Sequence, residues 1–310
     1  MRFPKIRAIE RGHPVEEKVW IESDGLRLAG VLHVPDDLQP GERRPAFLVL
    51  HGFGGNKEGH GCVAPSQTLA DWGYVALRFD FRGCGESEGE HARIICLDQV
   101  ADSQNVITYL QNRPEVDPNR VGMIGSSFGA AVSVYTAGID KRVAAVISQG
   151  GWGDGERKFR GQHASPEAWA RFTNMLEEGR RHRERTGESL MVDRFDIVPI
   201  PERLRFNMSS ASIMKFPAET AQSMYDFRAD DVVGNIAPRP LLLLHSANDS
   251  VTPTEQSIEL FKRAKQPTEL HLLTGVDHFM FNQEEPRVIQ LVQGWLATYF
   301  PVHAGEPVSA

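Results

Sequence analysis

Cysteine is scarce in this 310-residue chain, which has only Cys62, Cys84 and Cys96. Three thiols cannot build a disulfide framework, and an odd number points to a reducing compartment. Long hydrophobic runs are missing as well. No apolar stretch approaches the roughly 20 residues that a membrane helix needs. The opening MRFPKIRAIERGHPVEEK has no apolar segment of the kind that marks a secretory leader. Positive charge is not in excess either: the formal net charge is −7, which gives no footprint for nucleic acid or an anionic membrane surface. His51, His60, His91 and His163 lack the spacing of a metal site. These absences lead us to expect a cytoplasmic protein with no metal site, and they leave homo-oligomerisation open.

What the chain does have is an ordinary globular composition, 41% hydrophobic and 24% charged, and enough length for one large domain with a sizeable insertion. Residues 16–35 show partial alternation on either side of the Asp24-Gly25 turn signal, as in an antiparallel hairpin. PAFLVLHG (45–52) is continuously apolar, as in a strand buried on both faces. Helix-like SQTLADWG, strand-like YVALRFDFRG and a helical spacing from Asp98 to Asn112 follow. Then come strand-like RVGMIGSS, the small-residue helix AAVSVYTAG and strand-like RVAAVISQGG. This alternation predicts a mostly parallel central sheet flanked by helices, an α/β fold. The rhythm fails from Trp152 to about Val233 and resumes at RPLLLLHSAND, with a last helix from about Glu284 to Tyr299. Residues 1–151 and 234–302 therefore read as one core domain, 152–233 as a cap or lid inserted between two strands, and 303–310 as a frayed tail.

Gly125-Ser126-Ser127-Phe128-Gly129 matches G-x-S-x-G between a buried strand and a helix. A serine hydroxyl is a weak nucleophile without a base. A tight strand-to-helix turn projects it above the sheet edge, where the crowding demands small flanking residues. Ser127 is the expected nucleophile and Ser126 the rival. His51-Gly52-Phe53-Gly54 follows the strand PAFLVL, where a loop can supply one backbone N–H to an oxyanion hole; the residue after the nucleophile supplies the other. Phe53 and Phe128 are the expected donors. Asp249, in LLLLHSANDSVTP, and His278, in LLTGVDHFMF, both follow strand-like runs, in the order Ser, Asp, His. Asp249 would hold the imidazole tautomer while His278 takes the serine proton, with Asp277 as the rival orienter.

Taken together, HGFGGNK, RFDFRGCGESEG, GSSFG, HSANDSVTP and GVDHFMF resemble the α/β-hydrolase superfamily of serine hydrolases from about residue 18 to 300. Cys84 stands where relatives often carry histidine. The layout is similar to bacterial carboxylesterases of the feruloyl and cinnamoyl esterase type, although GSSFG differs from the G-H-S-Q-G of many of these. It also resembles prolyl-oligopeptidase-type catalytic domains. The resemblance implies an α/β-hydrolase fold and a carboxylesterase that cleaves a small-molecule ester through an acyl-enzyme, without cofactor or metal. The same triad serves amides, thioesters or carbon–carbon bonds, and a non-catalytic ligand-binding protein is the rival class.

Substrate contacts are expected from Trp152, Met208, Phe216, Met224 and Phe279, because ligand pockets are mostly apolar. Cys84 in its glycine-rich turn is a weaker nucleophile candidate, since it lacks the elbow context. The basic run RRHRER (180–185) reads as a solvated helical face balanced by Glu177, Glu178 and Glu188; carboxylate recognition is the other reading.

Overall fold

Asp24 and Gly25 both take positive φ, 50° and 80°, so the chain doubles back and pairs its first two strands in register from Val15↔Val34 to Ser23↔Leu26. The computed structural model describes residues 14–282 and 285–303. The first 13 residues and residues 304–310 of the expected tail lie outside the described residues.

The chain runs β1 (Val15–Ser23), β2 (Leu26–Val34), β3 (Arg44–Leu50), α1 (His60–Asp71), β4 (Val75–Phe79), α2 (Cys96–Gln111), β5 (Val116–Ser126), α3 (Phe128–Ile139) and β6 (Val143–Gln149). The alternation then stops. In its place come α4 (Gly155–Gln162), α5 (Pro166–Thr186), β7 (Met191–Asp193), α6 (Arg194–Ile197), β8 (Lys215–Pro217) and α7 (Ala218–Asp226). It resumes with β9 (Leu241–Ser246), α8 (Glu255–Arg263), β10 (Thr268–Leu273) and α9 (Pro286–Tyr299). Helix α1 begins at His60, ahead of the stretch whose periodicity marks it, because Gly61 and Pro65 obscure the apolar pattern.

Eight strands form one sheet in the order β1-β2-β4-β3-β5-β6-β9-β10. Pairing is antiparallel for β1–β2 and β2–β4 and parallel from β4 through β10. Every residue of β3, β4 and β9 is buried, which explains why these strands read as unbroken apolar runs. One apolar layer, with α2 and α3, covers one face; the other contains Leu69 of α1 and Val288, Val292 and Trp295 of α9. From β3 the chain moves outward to β4 and then returns to β5 on the opposite side. The C-terminal ends of β3 and β5 thus flank a switch point, where open α/β sheets bind ligands.

The segment between β6 and β9 packs on the core through Trp152, Phe159, Phe172, Phe216, Met224 and Phe227, all buried. Its basic run lies on α5, where Arg180 and Arg181 pair with Glu177, and Arg180 also with Glu184, on an exposed face. Lys158 is different. Its side chain is buried with no hydrogen-bond acceptor for Nζ among the described residues, and Nζ lies 3.8 Å from the Phe159 ring centre and 4.7 Å from that of Trp152. The rings attract a cation weakly, but burial disfavours the charge and lowers the amine to about 7.

This burial gives a signed expectation. The unfolded lysine keeps its proton up to its ordinary value, while the folded one loses it near 7. The unfolded state therefore binds more protons across that window, and Lys158 makes stability rise with pH. Below the folded value the penalty is present in full. Lys158→Met should raise the melting temperature at about pH 6.5, with the gain vanishing toward about pH 10. Melting profiles against pH check this, and an equal gain at both ends would contradict it.

Candidate active site

Ser127 occupies the single residue between β5 and α3, with φ 56° and ψ −112°. Positive φ in a non-glycine residue is uncommon and costs on the order of 1–3 kcal/mol, which the surroundings must impose. A Cβ on Gly125 would lie 2.3 Å from the Gly129 carbonyl carbon, and one on Gly129 would lie 2.5 Å from the Leu50 carbonyl oxygen. Both obstacles are backbone, so these two positions admit only glycine. The Ser127 N–H donates to Gln149 O at 2.8 Å, which ties the turn to β6.

The rival Ser126 donates its hydroxyl to Gln149 Oε1 at 2.7 Å. Gln149 Nε2 in turn donates to His278 O at 2.7 Å. The Ser126 proton is thus committed to an amide relay that reaches the histidine loop, although both serines line the cleft. That cleft is lined by Ser127, His278 and Phe53 together with Met208 and Phe279.

His278 is almost wholly buried, and its Nδ1 lies 2.8 Å from Asp249 Oδ2. A carboxylate facing Nδ1 puts the proton there and leaves Nε2 as the basic nitrogen. The other carboxylate oxygen, Oδ1, accepts the N–H groups of Val251 and Thr252, both at 2.8 Å. A second imidazole approaches Oδ2: His245 Nε2 lies 3.3 Å away and 3.0 Å from Thr252 O, while Ser257 Oγ stands 2.6 Å from His245 Nδ1. Two acceptors at Nε2 put the His245 proton on that nitrogen, with the Ser257 hydroxyl donating to Nδ1. Burial by itself would raise the Asp249 carboxyl, but His278 and His245 outweigh it and hold the group well below the usual carboxylate range. Asp277 has other partners. It accepts the N–H groups of Ser250 and His278 at 2.9 and 2.8 Å and the Arg203 guanidinium at 2.8 Å. It fastens the two loops together while Asp249 faces the ring.

Phe128 is the first residue of α3, where a helix N–H has no intrahelical acceptor. Phe53 follows β3, whose Leu50 pairs with Gly125 of β5, so both expected N–H donors stand beside the Ser127 turn. Their rings join one aromatic cluster: Phe53 and Phe128 lie 6.2 Å apart, and Phe128 lies 5.8 Å from Trp152.

The expected substrate contacts divide. Met208 and Phe279 line the cleft. Trp152, Phe216 and Met224 are instead buried in the packing of the β6–β9 segment against the sheet and do not reach it. Apolar composition cannot separate a side chain that packs a segment down from one that faces a ligand. Sequence reasoning also passed over His245, Gln149 and Arg194. The histidine that ends the run LLLLH was the one available signal for His245. Cys84 is fully buried with its thiol pushed up by burial, which does not suit a nucleophile. No group of three His, Cys, Asp or Glu side chains among the described residues could hold a metal ion. None of the described helices is long and apolar enough to cross a membrane.

Residues 24–279 match the family model described as X-Pro dipeptidyl-peptidase (S15 family). The crystal structure of hypothetical protein PA2218 from Pseudomonas aeruginosa superposes with a TM-score of 0.79 at 21% identity, covering 97% of this chain and 100% of that one. The polyketide transferase grgF of a Penicillium species is 28% identical over 271 residues, 82% of this chain and 86% of its own. Its crystal structure, described as an α/β hydrolase, gives a TM-score of 0.76 at 23% identity, with 92% and 99% covered. The thiohydrolase aneE of Aspergillus aculeatus is 26% identical over 323 residues, covering 94% of this chain and 98% of its own. The fold is the α/β-hydrolase fold that the motifs imply.

The pairing of His278 has a direct spectroscopic consequence. An imidazole N–H donated to a buried carboxylate resonates far downfield in the proton spectrum, so Asp249→Asn should abolish that signal and Asp277→Asn should keep it. Turnover should separate the same pair, with a loss on the order of 10⁴ for Asp249→Asn by analogy with serine proteases. A signal that survives in Asp249→Asn and disappears in Asp277→Asn would reverse the assignment.

Proposed function

The chain belongs to the X-Pro dipeptidyl-peptidase (S15) family of hydrolases, and from that premise we propose that it is a serine acyl hydrolase acting on small ester-type substrates. The observation that carries this reading is the Asp249–His278 pair at 2.8 Å in a cleft shared with the positive-φ Ser127. Ser127 Oγ attacks the acyl carbonyl while His278 Nε2 takes its proton, and the Asp249 carboxylate stabilises the imidazolium. The tetrahedral oxyanion is met by the N–H groups of Phe53 and Phe128. Its collapse expels the alcohol or thiol, which leaves with the proton from His278, and Ser127 keeps the acyl group. Water, activated by the same histidine, then releases the acid. An alcohol in place of that water would make the enzyme an acyltransferase, so hydrolysis and transfer differ only in the second nucleophile.

The cleft lining favours acyl substrates over dipeptides. Among the described residues it contains no Asp or Glu, so the α-ammonium of an X-Pro peptide would find no counter-charge. Besides the histidines and Arg194, whose guanidinium is engaged by backbone carbonyls, its polar side chains include the neutral amides and hydroxyls of Asn56, Asn207, Ser209, Ser212 and Asn282, set among Val198, Ile200 and Met208. Such a wall suits an uncharged acyl chain that carries oxygen functions. The activities for which those relatives are named, polyketide transfer and thiohydrolysis, are acyl chemistry of this kind. We read residues 152–233 as a cap, since Arg194, Val198, Ile200 and the stretch Asn207–Ser212 of that segment contribute to the lining. Three buried, unpaired cysteines suit a cytoplasmic setting.

A panel of p-nitrophenyl esters, acyl thioesters and X-Pro anilides tests the reading. Esters and thioesters should turn over and X-Pro anilides should not; anilides as the best substrates would favour the peptidase reading. Activity should also fall at acidic pH, because a protonated imidazole is no base. The carboxyl of Asp249, held below its usual range, stays ionised across that window, so the acid limb belongs to the histidine. A rate that stays flat down to about pH 4 would contradict the base role.

A further inference from the structure

The loop Gly52-Phe53-Gly54 lies outside any helix or strand, so each of its carbonyls must find its own donor. Gly52 O accepts from the Gly55 N–H at 3.0 Å and from His51 Nδ1 at 2.9 Å. His51 Nε2 accepts the Phe81 N–H at 3.3 Å, and burial lowers this imidazole, which keeps it neutral. A trans peptide is planar, so anchoring Gly52 O fixes the direction of the Phe53 N–H on the same peptide.

The other side of Phe53 is held from the β6–β9 segment. Arg194 Nη2 donates to Phe53 O at 2.5 Å, and Nη1 donates to Ile213 O at 2.9 Å and to Gly54 O at 3.4 Å. The guanidinium carbon also lies 5.3 Å from the Phe53 ring centre, and that ring stacks on Phe216 at 4.3 Å and 25°. Arg194 directly follows β7, and Phe216 is the middle residue of β8, paired with Val192. The small ribbon β7–β8 therefore presents both side chains to one loop. Gly54 records how closely they approach. It has φ 56°, and a Cβ there would lie 2.5 Å from Phe216 Cζ and 2.7 Å from Arg194 Nη1.

Arg194 is almost fully buried; among the described residues its donors reach only backbone carbonyls and its Nε has no acceptor. Burial lowers the group to about 10, so it remains charged at neutral pH. A buried cation with no carboxylate is expensive to keep. A planar fork that spans two successive carbonyls is what arginine offers and lysine does not.

We propose that Arg194 is a positioning residue for the oxyanion hole: by clamping the Phe53 carbonyl, it holds the Phe53 N–H where the tetrahedral oxyanion forms. The proposal rests on the acyl-enzyme reading of Ser127. It makes the β6–β9 segment part of the catalytic geometry as well as a cover.

Arg194→Lys keeps the charge and loses the fork, and Arg194→Ala loses both. Each would be assayed on a p-nitrophenyl ester, and against a trifluoromethyl ketone, which forms a tetrahedral adduct with the serine. For Arg194→Lys, kcat should fall on the order of 10–100-fold, the scale of displacing one oxyanion donor by about an ångström, with KM within about threefold. Affinity for the ketone should fall by the same factor as kcat/KM. Millimolar guanidinium should restore part of kcat in Arg194→Ala and nothing in Ser127→Ala. The positioning role is overturned if Arg194→Lys keeps its kcat and ketone affinity. It is also overturned if the variants raise KM alone, or if activity falls only in step with the melting temperature. Activity retained by Ser127→Ala would instead overturn the acyl-enzyme reading, whatever the Arg194 variants do.

Discussion

At Ser127 the backbone is forced through positive φ between a buried strand and a helix packed against it. The turn persists because no side chain fits on either flank: Gly125 abuts Gly129, and Gly129 abuts the end of β3. That second contact matters beyond the turn. The elbow can pack only if β3 lies next to β5, and the same adjacency carries the His51-Gly52-Phe53-Gly54 loop to the serine. One steric constraint therefore sets the positions of the Ser127 turn and of the Phe53 and Phe128 backbone beside it. The rest of the sheet keeps those two strand ends in register.

Around that turn the polar groups form a chain with few loose ends. Ser126 bonds to Gln149, Gln149 to the His278 carbonyl, His278 to Asp249, and Asp249 to His245 and two backbone N–H groups. The desolvation that would otherwise neutralise Asp249 is outweighed by these neighbours. A low-lying carboxylate in a dry site is an effective partner for a developing imidazolium, since the field between them is little screened. Asp277, sharing its carboxylate between the loops of Ser250 and His278, fixes the separation that makes this pair short.

Much of this was legible in the chain because the physics is local. Strands buried on both faces read as unbroken apolar runs, and Ser127 and Asp249 each follow such a run, while His278 follows the half-exposed edge strand β10; a parallel sheet delivers all three to one edge. The 152–233 break was visible as a loss of rhythm. What lay beyond the sequence depended on packing between distant segments. Trp152, Phe216 and Met224 carry the same apolar signal as Met208 and Phe279, yet the first three pack the segment down and the last two face the cleft. Arg194 was hidden because the strands that present it are three residues long, too short for any period. His245 was hidden because a histidine that closes an apolar strand has no motif of its own.

The central claim is that acyl groups pass through Ser127, and trapping one tests it most directly. The enzyme would be mixed with a slowly released ester, quenched in acid within one turnover, digested and mapped by mass spectrometry. The account predicts one acyl adduct per chain, on the peptide containing Ser127 and absent from Ser127→Ala. An adduct on Ser126 or on a cysteine, or full turnover by Ser127→Ala, would contradict it.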